Sequence, residues 1–423
     1  MSPVVVAEHR VVRVQHTSPT DIILGPLDRL AIEWLPISVV LSYKGNVDSD
    51  RLGKALEFTL HHYPTLTGQL AWTTDGNPLI KQGDSSVTYR IADCDADIDN
   101  FLSDTSSLER FPNSGESLCH PLDHDLFTMQ LTRFRSGYTI AIRVSHIVTD
   151  ADGFTQFGLD LSKSYQTLTL GHVPQLASSF IEPHLPLSTL SSNDFTPQMY
   201  SLVRPHHGPR SSMVKTKVVR FHKDFLLALK ELAQPQHGWV STFDALSAHL
   251  YQTIHRARVK TGVLLSPLDY FTAVNVRSRL ALPSRYFPMT TLDPYLTFEP
   301  DRLLNAPLPE IAATMHALTH SFSSEEARET VQWLQAHPKS HHRFRFGNGC
   351  FMTTKWSGFN LHRIAFDSDP IRVSLPLDQA VAADGLAYLL PTESEGAIDL
   401  YLSLDQAVWT MLKGGMKLAD LPM

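Results

Sequence analysis

The 423-residue sequence predicts an α/β protein built of two halves. Strand-like and helix-like hydrophobic periods alternate along most of the chain, which is typical of this class. The alternation is interrupted at residues 171–209 by an irregular stretch that is rich in Pro, Ser and His. Such a stretch is usually a linker or a functional loop. We therefore expect an N-terminal domain at residues 1–170, a crossover linker at 171–212 and a C-terminal domain at 213–423.

The first half contains strands and two clear helical patterns. Short apolar runs rich in β-branched side chains predict strands at residues 37–43, 87–91 and 141–145. One-sided spacing of apolar side chains predicts helices at residues 52–60 and 153–161. The second helix therefore follows directly after the third strand.

The second half also contains strand-like and helix-like patterns. Strands are predicted at residues 213–221, 268–274 and 397–404. Helices are predicted at residues 223–233, 242–259 and across most of 306–335. Ser241 directly precedes the second of these helices and is a suitable N-cap, because its hydroxyl can accept a backbone N–H of the first turn.

The most informative motif is His146-Ile-Val-Thr-Asp150, which lies between the strand and the helix that close the first half. Neutral imidazole accepts a proton near pH 7, so a histidine at the end of a strand can act as a general base. The alternative is a core histidine that hydrogen-bonds to the backbone. With 21 histidines in the chain, H-x-x-x-D alone is a weak signal.

Further short motifs lie on both sides of this one. They are at residues 26–28, 51–56, 62–70, 127–134, 241–249, 275–280, 286–287 and 354–356. Together with H-x-x-x-D, their order and spacing resemble those of the BAHD acyltransferases, an acyl-CoA-dependent family of plants and fungi. The resemblance covers nearly the whole chain. It implies two chloramphenicol acetyltransferase-like α/β domains with mixed β-sheets and a strand exchange, so that part of residues 360–395 packs back on the N-terminal domain.

The resemblance assigns roles to the motif. It implies that His146 is the general base, and that Asp150 is structural, because the family's matching carboxylate turns away from the substrate and pairs with an arginine. Arg277 matches that arginine. Asn275 and Gly153 are expected to support the site, and at Gly153 the missing side chain would leave the backbone accessible.

Thr354 and Trp356 match residues that contact the tetrahedral intermediate in the family. A hydroxyl and an indole N–H directed at a developing oxyanion would form a suitable pair of donors. The alternative is an ordinary strand that carries a buried tryptophan.

Contacts to coenzyme A (CoA) are expected from Ser241, Thr242, Arg256 and Arg258. The first two open a helix whose N-terminus can face phosphates, and the arginines belong to a short basic run. Helix capping and a solvated helix end explain these residues equally well.

Two departures from the family leave alternatives open. The family's D-F-G-W-G motif is replaced by Ala-Phe-Asp-Ser-Asp at residues 365–369, and Pro288-Met289 stand where Gly-Asn is usual. Two carboxylates near CoA would repel its phosphates. A second hypothesis for the function is therefore an isomerase, cyclase or lyase that uses His146 as a proton shuttle. A non-catalytic scaffold and a free-standing condensation domain are weaker alternatives.

Composition limits the partners of the protein. A net charge of −7 without a basic stripe argues against nucleic acid. Three cysteines, Cys94, Cys119 and Cys350, offer neither a disulfide framework nor a metal-binding spacing. No apolar run approaches the ~20 residues of a membrane span. We expect a cytoplasmic monomer that acylates the hydroxyl or amine of a specialised metabolite, with acyl-CoA, most often acetyl-CoA, as co-substrate and no metal or permanently bound cofactor.

Overall fold

The structure is a computed structural model that describes residues 4–14, 20–82, 85–103, 125–177, 195–203, 213–262, 267–320, 322–343, 349–376 and 382–413. Cys119 and most of the predicted linker lie outside these ranges.

The chain forms two compact units. The first consists of Met1–Pro186, Leu280–Thr290 and Phe359–Val381, and the second of Leu187–Arg279, Thr291–Gly358 and Ala382–Met423. The domain boundaries expected from the sequence stay a prediction.

The elements up to residue 169 follow the predicted alternation. The strands are β1 (Val4–Val14), β2 (Ile22–Ile23), β3 (Ile37–Lys44), β4 (Gln69–Trp72), β5 (Pro78–Lys81), β6 (Ser85–Cys94), β7 (Phe127–Arg133) and β8 (Gly137–Val144). The helices are α1 (Pro26–Leu30), α2 (Ser49–Leu60), α3 (Ile98–Ser103) and α4 (Ala151–Thr169).

The later elements show where local prediction was too coarse. The strands are β9 (Tyr200–Ser201), β10 (Val214–Phe221), β11 (Leu268–Thr272), β12 (Val274–Asn275), β13 (Thr291–Leu292), β14 (Tyr295–Phe298), β15 (His341–His342), β16 (Phe351–Lys355), β17 (Arg372–Ser374), β18 (Leu386–Pro391) and β19 (Ile398–Asp405). The helices are α5 (Lys223–Leu232), α6 (Thr242–Lys260), α7 (Pro300–Asn305), α8 (Leu308–His320), α9 (Ser324–Ala336) and α10 (Gln406–Lys413). The helical stretch predicted at 306–335 is divided into α8 and α9, because the Ser323 side chain accepts the Glu326 N–H and starts a new helix.

The first unit is built around a mixed six-stranded sheet with the order β1-β6-β7-β8-β3-β17. Strands β6 and β7 are parallel, and β8 is antiparallel to both β7 and β3. Every residue of β8 is buried, because the strand lies inside the sheet with both faces covered. The chain leaves this buried strand at Val144, two residues before His146.

The second unit contains a mixed six-stranded sheet with the order β10-β19-β18-β16-β11-β14. Strand β16 runs parallel to both of its neighbours, β11 and β18. Helix α6 packs on this sheet in a core that includes Leu246, Leu250 and Phe351. The predicted α/β class with mixed sheets is therefore confirmed.

Candidate active site

His146 lies just beyond the carboxyl end of β8. The Ser145 N–H donates to the Leu126 carbonyl (2.8 Å), which continues the pairing of β8 for one residue. Ile147 and Val148 are almost completely buried, so the loop after the strand is held by its apolar side chains. The strand end and this loop fix the backbone of His146.

The ring of His146 is held in one tautomer. Its Nδ1 lies 3.1 Å from the Thr149 carbonyl oxygen. A carbonyl only accepts hydrogen bonds, so the neutral ring carries its proton on Nδ1 and keeps a lone pair on Nε2. Trp34 packs its ring edge-on against the imidazole, with centroids 5.3 Å apart. Nε2 is therefore the atom that can accept a proton.

The surroundings of His146 favour its neutral form. Burial lowers the pKa of His146 from 6.5 to about 4, against the opposing effects of the Asp150 charge and the Thr149 carbonyl. The side chain nevertheless keeps partial exposure. At neutral pH the ring is thus an unprotonated base.

Asp150 is buried and acts as a structural clamp. Its Oδ1 accepts the N–H groups of Asp152 (3.1 Å) and Gly153 (3.2 Å), which makes Asp150 the N-cap of α4. Its Oδ2 accepts the Thr290 N–H at 2.8 Å. One carboxylate therefore fixes both the start of α4 and the end of the 280–290 segment. The predicted ion pair with Arg277, a buried residue of the second unit, stays a prediction.

Gly153 permits close packing between α4 and the 280–290 segment. A Cβ at this position would lie 2.0 Å from the Thr149 hydroxyl and 2.6 Å from the Phe287 carbonyl oxygen. The same hydroxyl donates to the same carbonyl at 2.7 Å. From the sequence, Gly153 was expected to leave its backbone accessible. The structure indicates a different reason for glycine here, because a larger side chain would not fit between α4 and the 280–290 segment.

Asp28 is a site residue for which the sequence analysis assigned no role. This buried carboxylate accepts the Met289 N–H through Oδ1 (3.1 Å) and the Gly25 N–H through Oδ2 (3.0 Å). Burial raises the pKa of Asp28 to about 7. Asp28 and Asp150 therefore hold the adjacent residues Met289 and Thr290. The available signal was the motif at residues 26–28, in which Asp28 is the acidic residue.

Thr354 lies in β16 and Trp356 directly follows this strand. The backbone pairing continues through Trp356, so the two side chains point to the same side, as alternate residues of a strand do. The opposite face carries Thr353, whose hydroxyl lies 2.8 Å from the Tyr270 hydroxyl and accepts from Ser247 (3.3 Å) in α6. Thr354 is half-buried and Trp356 is buried, and the backbone N–H of Trp356 donates to the Leu389 carbonyl (2.9 Å). The two predicted donors thus share the face of the strand that does not carry α6.

The residues expected at CoA are held by local contacts. Ser241 forms a reciprocal capping box with Asp244 at the start of α6, and Thr242 is the first residue of that helix. Arg258 is buried, pairs with Asp384 (2.7 Å) and donates to the Gly349 carbonyl (2.9 Å). Arg256 donates to the Leu304 carbonyl at 3.2 Å. These contacts favour a structural role for Arg258 over a phosphate contact.

Asn275 is exposed and supports the backbone at Arg277. Its Oδ1 accepts the Arg277 N–H at 2.9 Å. This is the local hydrogen bond that an asparagine two residues before a turn often makes. This bond shapes the segment after β12, and the expected support of the site by Asn275 stays a prediction.

The segment that replaces D-F-G-W-G packs within the first unit. Phe366 is buried against Tyr43 and Tyr165, with ring centroids 5.6 and 5.3 Å away. Asp367 accepts a hydrogen bond from the Tyr165 hydroxyl and lies 3.5 Å from Arg51. The arginine partly compensates the charge of Asp367. The buried Phe366 and these polar contacts show that the segment is a folded part of the first unit.

The described residues form neither a metal-binding cluster nor a membrane-spanning helix. No cluster of three or more His, Cys, Asp or Glu residues in the described ranges could hold a metal ion. None of the helices formed by those residues is long and apolar enough to span a membrane.

Known proteins resemble this chain in sequence. A model of the Transferase family matches residues 5–417. The O-acetyltransferase dmxR13 of Cryptosporiopsis sp. (strain 8999) is 25% identical over 212 residues, which are 47% of this chain and 46% of that protein. This match therefore spans about half of the relative. The hydroxycinnamoyltransferase of Narcissus pseudonarcissus is 22% identical over 384 residues, 86% of this chain and 85% of the relative.

Solved structures share the fold. TRI101 of F. sporotrichioides, complexed with coenzyme A and T-2, has a TM-score of 0.78 at 18% identity and covers 94% of this chain and 98% of its own. Vinorine synthase has a TM-score of 0.73 at 15% identity and covers 96% of each chain. At such identities the likeness shows the two-domain fold and nothing finer.

Proposed function

The chain belongs to the Transferase family as an acyltransferase of the BAHD type, and we propose that it transfers an acyl group from acyl-CoA to a hydroxyl group of a specialised metabolite. His146 is the general base of this proposal. Acetyl-CoA is the proposed donor, because an O-acetyltransferase is among the relatives and a structural neighbour was solved with coenzyme A.

The proposed reaction needs one proton carrier and no covalent enzyme intermediate. Nε2 of His146 removes the proton of the acceptor hydroxyl while its oxygen attacks the thioester carbonyl carbon. The tetrahedral intermediate then collapses, the carbon–sulfur bond breaks, and the thiolate takes the proton back from Nε2. The products are the ester and free CoA. The negative charge of Asp150 and the Thr149 carbonyl favour the imidazolium that exists between these steps.

The observation that carries this proposal is the hydrogen bond from His146 Nδ1 to the Thr149 carbonyl. It leaves a lone pair on Nε2 of a partly exposed residue just beyond the end of a buried strand. A histidine that served only to satisfy the core would have both nitrogens engaged by protein groups in a fully buried ring. General bases of this kind contribute about 10² to 10⁴ in rate.

Stabilisation of the oxyanion is proposed for Thr354 and Trp356. The resemblance to the family and their shared face of β16 support this role. We further propose that Ser241 and Thr242, at the N-terminus of α6, face the phosphates of CoA. These roles are tested separately from that of His146, by the effect of Thr354→Val on kcat and of Thr242→Val on the KM for acetyl-CoA.

The proposed function is tested by thiol release from acetyl-CoA in the presence of a panel of alcohols, phenols and amines. With an accepted alcohol, wild type should release one thiol per ester formed. His146→Ala should lose about 10² or more in kcat, while CoA should still protect it against thermal unfolding. The matched control is His172→Ala, which removes an exposed histidine just after α4 and should leave kcat unchanged.

CoA binding is measured independently of turnover. Ligand at about a hundred times its dissociation constant should stabilise the protein by about 2.7 kcal/mol. If CoA and acetyl-CoA give no stabilisation and a substrate is converted without them in a His146-dependent reaction, the isomerase or cyclase reading replaces acyl transfer. Full activity of His146→Ala would remove the general base from the mechanism.

A further inference from the structure

Thr149 is a buried residue whose side chain has no role yet in the proposed acyl transfer. It lies in the loop between β8 and α4 and is fully buried. Its carbonyl oxygen lies 3.1 Å from His146 Nδ1, and its hydroxyl donates to the Phe287 carbonyl at 2.7 Å. One residue therefore connects the proposed base to the 280–290 segment, and all of these residues belong to the first unit.

The regular elements on either side do not hold the Thr149 carbonyl. Strand β8 ends at Val144, and the backbone hydrogen bond that opens α4 runs from the Phe154 N–H to the Asp150 carbonyl (2.8 Å). The Thr149 carbonyl precedes that bond. Its peptide group is planar, so the direction of the carbonyl follows the backbone on both sides of it. Asp150 restrains the backbone that follows this peptide group, and the Thr149 hydroxyl restrains the backbone that precedes it.

The acceptor of the hydroxyl bond is itself fixed. The ring of Phe287 is fully buried and packs edge-to-face against Tyr63, with centroids 4.8 Å apart. Two residues further along, the Met289 N–H donates to Asp28 at 3.1 Å. Gly153 leaves the space for this arrangement, since a Cβ there would lie 2.0 Å from the same hydroxyl. The hydroxyl thus ties the loop to a well-packed segment of the first unit.

We propose that Thr149 is a positioning residue for the general base: its hydroxyl, bound to Phe287, directs its own carbonyl at His146 Nδ1 and so keeps the lone pair on Nε2. This inference rests on the proposed role of His146 in acyl transfer. Without the carbonyl, the proton of the neutral ring can occupy either nitrogen, and a ring protonated on Nε2 cannot accept the proton of the hydroxyl substrate. Because Thr149 is fully buried, it acts through the ring of His146.

The first experiment separates the hydroxyl of Thr149 from its methyl group. Thr149→Val keeps the shape of the side chain and removes the donor, whereas Thr149→Ser keeps the donor. Thr149→Val should lower kcat about tenfold or more, because a small misplacement of a catalytic group is costly. The KM for acetyl-CoA should change little, and Thr149→Ser should restore most of kcat. Thr149→Ala, which adds no methyl next to the Phe287 carbonyl, is measured in parallel and should resemble Thr149→Val.

The second experiment reads the tautomer of His146 without turnover. NMR spectra of the full-length protein with ¹⁵N-labelled histidine are recorded at neutral pH in the absence of substrates. The signals of His146 are those that are missing from the spectrum of His146→Ala. Wild type and Thr149→Ser should show a protonated Nδ1 and an unprotonated Nε2. In Thr149→Val and Thr149→Ala, a fraction of the rings should be protonated on Nε2.

Thr59→Val is the matched control. Thr59 in α2 is also fully buried, and its hydroxyl lies 2.7 Å from the Ala55 carbonyl and 3.0 Å from the Ser164 hydroxyl. Its replacement removes a buried hydroxyl from the same unit, so it should lower stability and leave kcat and the His146 tautomer unchanged.

Three results would overturn the positioning role. They are a wild-type kcat and tautomer in Thr149→Val, an equal loss of kcat in Thr149→Ser and Thr149→Val, and an equal loss of kcat in Thr59→Val. Failure of the proposed function gives a different result, namely full activity of His146→Ala. In that case the NMR spectra still decide whether Thr149 sets the tautomer of the ring.

Discussion

The basicity of His146 is the property of a single residue that most affects the proposed reaction. Its ring is a weaker base than free imidazole, because burial disfavours the imidazolium. In return, the ring is unprotonated at neutral pH. Proton transfer is thus assisted by the Asp150 charge, which acts on the imidazolium once it forms.

A pH profile tests this property. With a pKa of about 4, His146 should be the base throughout the neutral range, so kcat/KM should lose activity only as the pH falls toward 4. The measurement is kcat/KM for acetyl-CoA and the best acceptor from pH 4 to 8, with circular dichroism to confirm folding at each pH. An acid limb centred at pH 6.5 or above would show that the ring is not buried in the working enzyme.

At the scale of elements, the start of α4 depends on two residues with different tasks. Asp150 binds three backbone N–H groups from two segments, and Gly153 lets the 280–290 segment approach the helix. The position of the His146 loop therefore follows from how α4 begins and from what packs beside it.

Asp150→Asn tests how much the three hydrogen bonds accepted by Asp150 contribute to stability. An amide has a single acceptor oxygen, so either the cap or the Thr290 bond should be lost, at about 1 to 3 kcal/mol of unfolding free energy. If Arg277 pairs with this carboxylate, the loss should instead reach about 3 to 5 kcal/mol. A double-mutant cycle with Arg277→Gln, followed by denaturant unfolding, separates the two cases, and a coupling energy near zero would exclude the ion pair.

Gly153→Ala tests the packing. The added methyl would overlap the Thr149 hydroxyl and the Phe287 carbonyl, so we expect a loss of about 1 to 3 kcal/mol and a lower kcat. The matched control is Gly358→Ala, where a Cβ meets nothing within 4 Å and stability should change little. Equal stability of the two variants would mean that the segment yields to the methyl group.

The stability of the whole molecule should depend on pH through buried carboxyls. Asp293 in the second unit is fully buried, and its Oδ2 lies 3.6 Å from Nδ1 of His342. Burial raises the pKa of Asp293 from 3.8 to about 7. Between these pH values the folded state keeps the Asp293 proton, whereas the unfolded chain releases it. The contribution of Asp293 to the free energy of unfolding is therefore complete below pH 4 and is lost as the pH rises to 7.

Asp293→Asn should remove this loss of stability at rising pH, because an amide cannot ionise. The unfolding free energy of the variant minus that of wild type should therefore rise between pH 5 and 7, by up to about 1.4 kcal/mol per pH unit. Above pH 7 the difference should become constant. Urea unfolding at four pH values measures it, and Asp75→Asn, an exposed turn residue, is the control that should show no such trend. A flat difference for Asp293→Asn would show that the carboxyl ionises normally.

The sequence by itself predicted most of the longer elements and the residue that is proposed to carry the chemistry. Periodicity and caps are local, so α6 could be predicted together with its N-cap, Ser241, and the helix after the motif could be expected near Gly153. The order of the motifs sufficed for the family and the mixed α/β fold. The role of His146 was predicted in the same way, since H-x-x-x-D together with its neighbours resembles one family.

Only the tertiary structure decided which partners the polar residues have. Arg258 belongs to a basic run in the sequence, yet it is buried against Asp384, 126 residues away. Asp28 holds Met289, 261 residues away, and the 280–290 segment joins the first unit although it follows the predicted linker. Burial and hydrogen bonds between distant residues follow from how the elements pack, and local hydrophobic periods do not contain that information.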